Sequence, residues 1–290
     1  MTEAPNSPRR SFSYDDETVI SYEAQGDGPV PVVFLHGFAA GLITWHDIRP
    51  LFPPSRFRLY LPDLKGFGFS SKPCDGRYTP EDQAAVVLSF MKSLGLRHAV
   101  LVGHSLGGGI ALLALWEARR DGMSDLIDRL ILIDCAAYPQ RLPRIMRLLR
   151  RPLLGRAIIR LLPVRFMVVY SLRHVFHDKG AITPQRIDRY VTCFGRKGID
   201  RVFAATCRQL APERYADLAP SFHGITVPTL IIWGGEDRFI PAENGGRLQR
   251  DIPGSRLVVI GACGHNPHEE RPGETFAAMA EFLAMSRELP

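Results

Sequence analysis

One serine lies where its hydroxyl could act as a nucleophile. Ser105 is the centre of Gly103-His104-Ser105-Leu106-Gly107, which follows the apolar run 100–102 and precedes a segment with helical spacing. A tight strand-to-helix turn of this kind projects the serine outward, and its flanking glycines avoid collisions that a Cβ would cause. A serine hydroxyl attacks a carbonyl carbon efficiently only when a base accepts its proton. The pattern therefore predicts a nucleophilic serine that needs an imidazole, with a carboxylate behind it, brought to the same turn.

Short apolar runs alternate with segments of helical spacing along most of the chain. Apolar runs without polar alternation are typical of strands buried on both faces of a parallel sheet, and their alternation with helices favours an α/β fold. The predicted strands cover residues 18–24, 31–35, 56–61, 99–102, 130–133, 229–233 and 258–260, and the predicted helices cover 80–94, 106–120, 242–250 and 272–284.

The alternation fails in one long segment. From residue 138 to 220 no buried strand is evident, whereas apolar residues recur at helical spacing. We therefore predict an α/β core formed by residues 1–137 and 221–290, with a flexible tail over residues 1–13, and a helical cap inserted at 138–220.

Four further segments have the residue patterns of known catalytic loops. Leu35-His36-Gly37-Phe38 has the pattern H-G-x, and residues 63–70 have the pattern D-x-x-G-x-G-x-S. Residues 233–241 have the pattern W-G-x-x-D-x-x-x-P, and residues 264–272 have the pattern G-H-x-P-H-x-E-x-P. Together with the serine turn, these motifs resemble the α/β-hydrolase-fold superfamily, in its serine-nucleophile branch of capped esterases and carbon–carbon bond hydrolases.

The resemblance implies a catalytic triad and an oxyanion hole. Ser105 would be the nucleophile, His265 the general base, and Asp237 the acid that orients the base. The backbone N–H groups of Phe38 and Leu106 would form the oxyanion hole. In physical terms, the carboxylate fixes the tautomer of the imidazole, and the two donors stabilise the tetrahedral oxyanion.

One alternative to the acid stays open, and several residues are predicted to shape the substrate site. Asp134 ends the strand at 130–133, and some relatives take their triad acid from that loop. His36, Gly37 and His104 flank the serine turn. The candidate substrate-contacting residues of the cap are Phe166, Tyr170, Phe176 and Phe194.

The predicted reaction is hydrolysis of a carboxylic ester with an apolar acyl or alcohol part, through an acyl-enzyme on Ser105. The cap supplies many Leu, Ile, Val and Phe residues, which favours an apolar small-molecule substrate. One alternative is hydrolysis of a carbon–carbon bond in a vinylogous diketone, although His104 stands where such enzymes tend to carry Asn. Another is a non-catalytic ligand receptor that retains the triad.

Positive charge is concentrated in the predicted cap. Nine arginines and no acidic residue lie between Asp134 and Asp178, so the net charge of +6 comes from this segment. Such a basic, apolar stretch is typical of a cap helix that covers the active site, the interpretation we favour, or of a peripheral contact with an anionic membrane. Nucleic-acid binding is not predicted, because aromatic residues are sparse there.

Composition indicates a globular protein without cofactor or metal. Of the 290 residues, 46% are hydrophobic and 23% are charged, as in typical globular domains. The five cysteines are scattered, with neither a disulfide framework nor metal-ligand spacing, and no dinucleotide-binding glycine motif is present. The polar N-terminal stretch lacks the apolar core of a secretory signal, so we expect a cytoplasmic protein. Oligomeric state is not predicted.

Overall fold

A computed structural model describes residues 8–139, 144–210 and 219–285 of the chain. Eight strands in these residues form one sheet, in the order β1-β2-β4-β3-β5-β6-β7-β8. The strands are β1 (Arg10–Ser13), β2 (Val19–Gln25), β3 (Val30–Leu35), β4 (Phe57–Pro62), β5 (Ala99–His104), β6 (Ile127–Ile133), β7 (Thr229–Gly234) and β8 (Arg256–Ile260).

The sheet is parallel except at one edge. β1 pairs antiparallel with β2, and β2 with β4, whereas the other neighbouring strands pair in parallel. The predicted α/β class with a mostly parallel sheet is therefore confirmed. Because parallel strands end at the same edge, the loops that follow β3, β5, β6 and β7 meet there.

The end of the predicted N-terminal tail forms a strand. Residues 1–7 lie outside the described residues, but Arg10–Ser13 forms β1, so the prediction of a flexible tail through residue 13 is wrong at its end. Backbone pairing with β2 orders this segment, and the ring of Phe12 packs on that of Phe90 at 5.8 Å between centroids. This strand was difficult to predict, because a four-residue edge strand carries a weak hydrophobic pattern.

Helices cover both faces of the sheet. In the described residues they are α1 (Pro80–Ser93), α2 (Leu106–Arg120), α3 (Arg144–Leu149), α4 (Pro152–Leu161), α5 (Val164–Val175), α6 (Pro184–Phe194), α7 (Ile199–Gln209), α8 (Glu243–Asp251), α9 (Pro267–Glu270) and α10 (Pro272–Met285). Short 3₁₀ turns occupy Leu42–Trp45, Arg49–Leu51, Lys179–Ala181 and Ala219–Gly224.

Side chains that alternate along the strands build two hydrophobic cores. On β3, Val33 and Leu35 contribute to the core beneath α1 and α2, whereas Val32 and Phe34 contribute to the core beneath α10. This alternation follows from the two-residue period of a strand. The two cores fix the central strands, and therefore the loops at their carboxyl ends.

The segment between β6 and β7 is helical. It contains α3 to α7 and no strand among its described residues, and residues 140–143 and 211–218 lie outside the description. Within it α4 packs on α7 and α5 packs on α6. The predicted cap limits, 138 and 220, both fall between β6 and β7.

Most predicted elements match the observed ones to within three residues at each end. β6 begins three residues earlier than predicted. Asp128 and Arg129 interrupt the apolar run of the sequence, but Ile127 and Arg129 both pair with β5, and the register shifts between them at Asp128. Within the part of the chain that the structure describes, no helix has the length and apolar character that crossing a bilayer requires.

Candidate active site

Ser105 lies at the turn from β5 into α2. Its backbone has φ +53° and ψ −118°, a conformation that costs free energy for a residue with a side chain. Its N–H donates to the carbonyl oxygen of Ile133 at 2.9 Å, and its carbonyl oxygen accepts from the N–H of Ala136 at 3.0 Å. These bonds to the neighbouring strand and its loop hold the strained turn in place.

Close backbone contacts require both glycines of the turn. A Cβ on Gly103 would lie 2.4 Å from the carbonyl oxygen of Gly107, and a Cβ on Gly107 would lie 2.3 Å from that of Leu35. Both distances are far below van der Waals contact. The glycines therefore allow α2 to begin directly against β3 and β5.

His265 and Asp237 form a hydrogen-bonded chain with Ser105. His265 Nε2 lies 2.9 Å from Ser105 Oγ, and His265 Nδ1 lies 2.7 Å from Asp237 Oδ2. An ionised carboxylate can only accept, so Nδ1 carries the proton and Nε2 accepts from the serine hydroxyl. All three side chains are buried. The structure thus brings the three predicted catalytic residues together in the order that proton transfer requires.

The imidazole of His265 is fixed by its surroundings. Its backbone N–H donates to the carbonyl oxygen of Val175, the last residue of α5, at 2.8 Å. Its ring contacts those of Phe239 and His104, each at 4.9 Å between centroids. The histidine loop is therefore positioned by both the core and the helical insertion.

Asp237 is held as a carboxylate. Its Oδ1 accepts from the N–H groups of Phe239 at 2.7 Å and Ile240 at 3.0 Å, while its Oδ2 faces His265. Burial would raise the pKa of Asp237, but the charge and hydrogen bond of His265 and the two backbone donors hold it below its ordinary value. Asp237 therefore stays ionised at neutral pH and can stabilise an imidazolium.

Asp134, the alternative acid, lies beside Asp237 and not on the imidazole. Its Oδ1 accepts from the N–H of Gly234 at 3.0 Å, whereas the hydrogen bond to His265 Nδ1 is made by Asp237. Burial, followed by the negative charge of Asp237, raises the pKa of Asp134 well above its ordinary value. Two adjacent buried carboxyl groups cannot both ionise readily, so Asp134 is the neutral member of the pair.

The same residues are the one group of three potential metal ligands in the described part of the chain. Atoms of Asp134, Asp237 and His265 lie within 4.8 Å of one another. However, His265 Nδ1 and Asp237 Oδ2 face each other across a hydrogen bond, and a protonated carboxyl group is a poor ligand. The donor set therefore suits proton transfer better than metal binding.

The two candidate oxyanion donors border the nucleophile. Leu106 is the first residue of α2, so its N–H is among those that a helix leaves without an intrahelical acceptor. Phe38 follows Gly37, where a Cβ would lie 3.1 Å from Ser105 Cβ. The loop after β3 and the start of α2 therefore lie on either side of the serine. Their role as an oxyanion hole stays a prediction.

Two of the predicted substrate-contacting histidines are instead bonded to the backbone. His36 Nδ1 donates to the carbonyl oxygen of Gly37 at 2.8 Å, and its Nε2 accepts from the N–H of Leu64 at 2.9 Å. His104 Nε2 donates to the carbonyl oxygen of His265 at 2.8 Å. Burial lowers the pKa of His36 to about 4 and that of His104 to about 3, so both stay neutral. The prediction of substrate contact is therefore wrong for His36, whose two ring nitrogens are both bonded. For His104, whose Nδ1 has no hydrogen-bond partner among the described residues, it stays a prediction. Both rings position the loops, and Gly37 lies at the serine.

An aromatic cluster joins the insertion to the loop after β3. The ring of Phe203, on α7, lies 5.2 Å from that of Phe38 and 5.4 Å from that of Phe194. Phe67 of the core lies 6.0 Å from Phe38. Through Phe38, which follows Gly37, the cluster adjoins the loop that borders the nucleophile. Phe203 and Phe67 were not predicted, since nothing in their spacing separates them from ordinary core residues.

Two predicted cap contacts are wrong. Phe166 and Tyr170 are 58% and 45% exposed and stack on each other at 6.4 Å between centroids. They lie on the face of α5 opposite Val168 and Leu172, which are buried. Phe176 and Phe194, the other two candidates, are buried. The error arose because periodicity in a largely apolar segment does not show which face turns inward.

A buried polar network ties α6 to the histidine loop. Glu269 Oε2 accepts from the hydroxyl of Tyr190 and from Asn266 Nδ2, both at 2.6 Å. Arg186 pairs with Glu269 at 3.4 Å and with Asp47 at 2.5 Å. Burial raises the pKa of Glu269 to about 7, despite the opposing charge of Arg186. The sequence did not reveal this network, because its members are far apart in the chain.

Glu270, the glutamate of the motif at residues 264–272, binds backbone N–H groups. Glu270 Oε1 accepts from the N–H of Gly264 at 2.9 Å, and its Oε2 accepts from those of His177 and Asp178 at 2.8 and 2.9 Å. One carboxylate thus holds the residue before His265 and the segment after α5. The motif G-H-x-P-H-x-E-x-P therefore has a structural reason for its glutamate.

Comparison with known families gives one match over most of the chain. A family model described as alpha/beta hydrolase fold matches residues 30–272. The chain is 32% identical over 279 residues to the uncharacterized hydrolase YugF of Bacillus subtilis, covering 96% of this chain and 98% of the relative.

Two further similarities concern proteins with a named activity. The chain is 27% identical over 262 residues to 2-hydroxymuconate semialdehyde hydrolase from Pseudomonas sp. strain CF600, covering 88% of this chain and 87% of the relative. A thermophilic esterase from Thermogutta terrifontis, solved with malate bound, superposes with a TM-score of 0.78 at 27% identity, covering 96% of this chain and 99% of the esterase.

Proposed function

We propose that this chain, which belongs to the alpha/beta hydrolase fold family, hydrolyses a carboxylic ester of an apolar small molecule through an acyl-enzyme on Ser105. One observation carries the proposal: Ser105 Oγ, the His265 imidazole and the Asp237 carboxylate form a continuous hydrogen-bonded chain, with distances of 2.9 and 2.7 Å. That chain supplies a nucleophile, a base with a fixed tautomer, and a counter-charge for the imidazolium.

The first half of the reaction forms the acyl-enzyme. Ser105 Oγ attacks the ester carbonyl carbon while its proton passes to His265 Nε2, and Asp237 stabilises the resulting imidazolium. The tetrahedral oxyanion would accept hydrogen bonds from the N–H groups of Phe38 and Leu106, aided by the positive end of α2. The imidazolium then returns its proton to the departing alcohol as the carbon–oxygen bond breaks.

The second half regenerates the enzyme. Water attacks the acyl carbon and gives its proton to His265 Nε2, and the second tetrahedral intermediate collapses with release of the carboxylic acid. Ser105 Oγ recovers its proton from the imidazolium. Every step uses groups of this chain and water.

Two observations support an apolar ester over a charged substrate. Phe38, which follows the glycine next to Ser105, belongs to an aromatic cluster with Phe67, Phe194 and Phe203. Arg186, a buried arginine near the histidine loop, is already paired with Asp47 and Glu269. The similarity to the Thermogutta esterase supports ester hydrolysis as the reaction.

Carbon–carbon bond hydrolysis is the second candidate. The relative named 2-hydroxymuconate semialdehyde hydrolase matches most of the chain, which favours it. The same triad could attack a carbonyl group of a vinylogous diketone, with a carbon leaving group in place of an alcohol. The third candidate is a ligand receptor that retains the triad but does not turn over a substrate.

A substrate panel separates these candidates. We would measure turnover of p-nitrophenyl esters from acetate to octanoate and of 2-hydroxymuconate semialdehyde, with wild type and Ser105→Ala. Ester turnover that rises with acyl length and is lost in Ser105→Ala is expected. Faster turnover of the semialdehyde would favour the second candidate, and no turnover of any compound by wild type would favour the receptor.

A further inference from the structure

The outer surface of α4 and α5 carries the largest concentration of exposed apolar side chains in the described chain. We propose that this surface, here called the outer cap face, docks on an anionic phospholipid bilayer. It is formed by Leu153, Leu154, Leu161, Leu162, Phe166 and Tyr170. The proposal concerns binding, so it stands or falls separately from the ester hydrolysis proposed above.

The apolar residues of the outer cap face form two stripes. Leu153 and Leu161 are 84% and 82% exposed and, with Ala157 between them, follow the i, i+4, i+8 spacing of one side of α4. Phe166 and Tyr170 form the corresponding stripe on α5. Leucine side chains exposed to this extent are unfavourable in water unless something covers them.

The opposite sides of these helices are already packed. Ile159 of α4 and Val168 and Leu172 of α5 are buried in the core, and α4 packs on α7. The outer stripes therefore are not needed to hold the helices on the protein. They are free to contact a partner without rearrangement of the fold.

Arginines surround the apolar stripes. Arg147, Arg150, Arg151, Arg160, Arg165 and Arg173 are exposed, and no acidic residue occurs between Asp134 and Asp178. Asp200 pairs with Arg156 and Arg160, and Asp188 pairs with Arg165. Among the described residues these two carboxylates pair with three arginines, and Arg147, Arg150, Arg151 and Arg173 add further positive charge to the rim. An anionic bilayer matches this arrangement: its acyl region accepts the leucine and aromatic side chains, and its negatively charged head groups pair with the arginines of the rim.

This charge argues against a second copy of the chain as the partner. A twofold contact would place the same patch on both subunits and so would bring the arginines of one copy against those of the other. Like charges that lose water at an interface are destabilising. An anionic surface removes this repulsion, because its head groups neutralise the rim.

Docking in this orientation would place α5, a helix that contacts the catalytic histidine loop, against the bilayer. The last residue of α5, Val175, accepts the backbone hydrogen bond of His265. The helix that carries the aromatic stripe on its outer side thus contacts the catalytic loop at its end.

The test is co-sedimentation of the full chain, as Ser105→Ala so that lipid hydrolysis does not interfere, with two kinds of vesicle. One is pure phosphatidylcholine, and the other contains about one quarter phosphatidylglycerol. We expect binding to the anionic vesicles to exceed binding to the neutral ones by about tenfold or more, and to weaken as salt rises from about 0.05 to about 0.5 M.

Paired variants identify the surface. In the Ser105→Ala background, Leu153→Ser with Leu161→Ser should lower binding to anionic vesicles by on the order of tenfold. Leu51→Ser with Val259→Ser removes two exposed apolar side chains elsewhere and should leave binding unchanged. Circular dichroism of each variant would verify that it is folded.

Three results would overturn the proposal. They are no preference for anionic vesicles, equal loss of binding in both pairs of variants, and full binding by the Leu153/Leu161 pair. If light scattering instead showed a concentration-dependent dimer that only the Leu153/Leu161 pair dissociates, with no vesicle binding, the outer cap face would be a contact between copies.

Discussion

Two buried aspartates sit side by side at the active centre, and their environments give them different protonation states. Asp237 receives two backbone N–H groups and the imidazole, which lower its pKa, whereas burial and the charge of Asp237 raise the pKa of Asp134. The ionised member contacts the base. The difference in environment therefore assigns the orienting role, a choice that the sequence left open.

This assignment predicts unequal effects of two similar substitutions. Asp237→Asn removes the charge and disturbs the tautomer of His265, so we expect kcat for a p-nitrophenyl ester to fall by roughly a thousandfold or more. Asp134→Asn replaces a neutral carboxyl group with a neutral amide that can still accept from the N–H of Gly234, so kcat should change by less than about tenfold. Steady-state kinetics of the two variants measure whether their losses in kcat differ in this way. Equal losses would mean that Asp134 shares the orienting role.

The turn around Ser105 shows how elements constrain the site. β3, β5 and α2 approach so closely that Gly103 and Gly107 have no space for a Cβ. This part of the site could be predicted from sequence, because the glycine pattern reflects a local backbone requirement.

The orientation of the cap helices could not be predicted from sequence. α4 has leucine or isoleucine at 153, 154, 158, 159 and 161, over most of its circumference, so periodicity does not show which of these apolar residues are buried.

The close approach gives a stability prediction. Gly107→Ala should lower the free energy of unfolding by about 2 to 4 kcal/mol, because the added Cβ must displace backbone. Gly273→Ala is the matched control, since a Cβ there meets nothing within 4 Å. Urea unfolding followed by circular dichroism measures both. A Gly107→Ala protein as stable as Gly273→Ala would contradict the packing described for α2.

The network between α6 and α9 predicts a pH dependence of stability. Burial raises the pKa of Glu269 from an ordinary 4.5 to about 7. The folded state therefore holds this proton more tightly than the unfolded state, so its contribution is fully present below about pH 4.5 and is lost as pH rises through about 7. We expect this group to lower the free energy of unfolding by about 1 to 3 kcal/mol over that range.

Replacing the glutamate isolates that contribution. Glu269→Gln cannot ionise, so its free energy of unfolding should decline less steeply than that of wild type between pH 4.5 and 7. Glu274→Gln, at an exposed position on α10, should retain the wild-type slope. Urea titrations at several pH values give the slopes. Parallel profiles for wild type and Glu269→Gln would assign the pH dependence to other groups.

At the scale of the whole molecule, the active centre lies where core and insertion meet. The core supplies Ser105, Asp237 and His265, while α5 fixes the histidine backbone and α7 places Phe203 against Phe38. The catalytic loops could be predicted because their motifs are contiguous in sequence. The cap contacts could not be predicted, since Val175 is 90 positions from His265 and Phe203 is 165 positions from Phe38.

The meeting of core and insertion predicts how substrate size is recognised. Phe203→Ala opens the aromatic cluster beside the nucleophile, so we expect KM for p-nitrophenyl octanoate to rise by about tenfold while kcat for the acetate changes little. Phe166→Ala removes an outward-facing ring of the same insertion and should leave both constants near wild type. Comparable changes in the two variants would place the acyl chain outside the aromatic cluster.

The central claim is that Ser105 is the nucleophile and that His265 activates it. The most direct measurement is reaction with a fluorophosphonate, followed by peptide mass mapping and by the labelling rate of wild type and His265→Ala. We predict a single adduct on the peptide that contains Ser105, formed at least a hundredfold more slowly in His265→Ala, as expected when a nucleophile loses its general base. An adduct on another residue, or equal rates in the two proteins, would contradict the account.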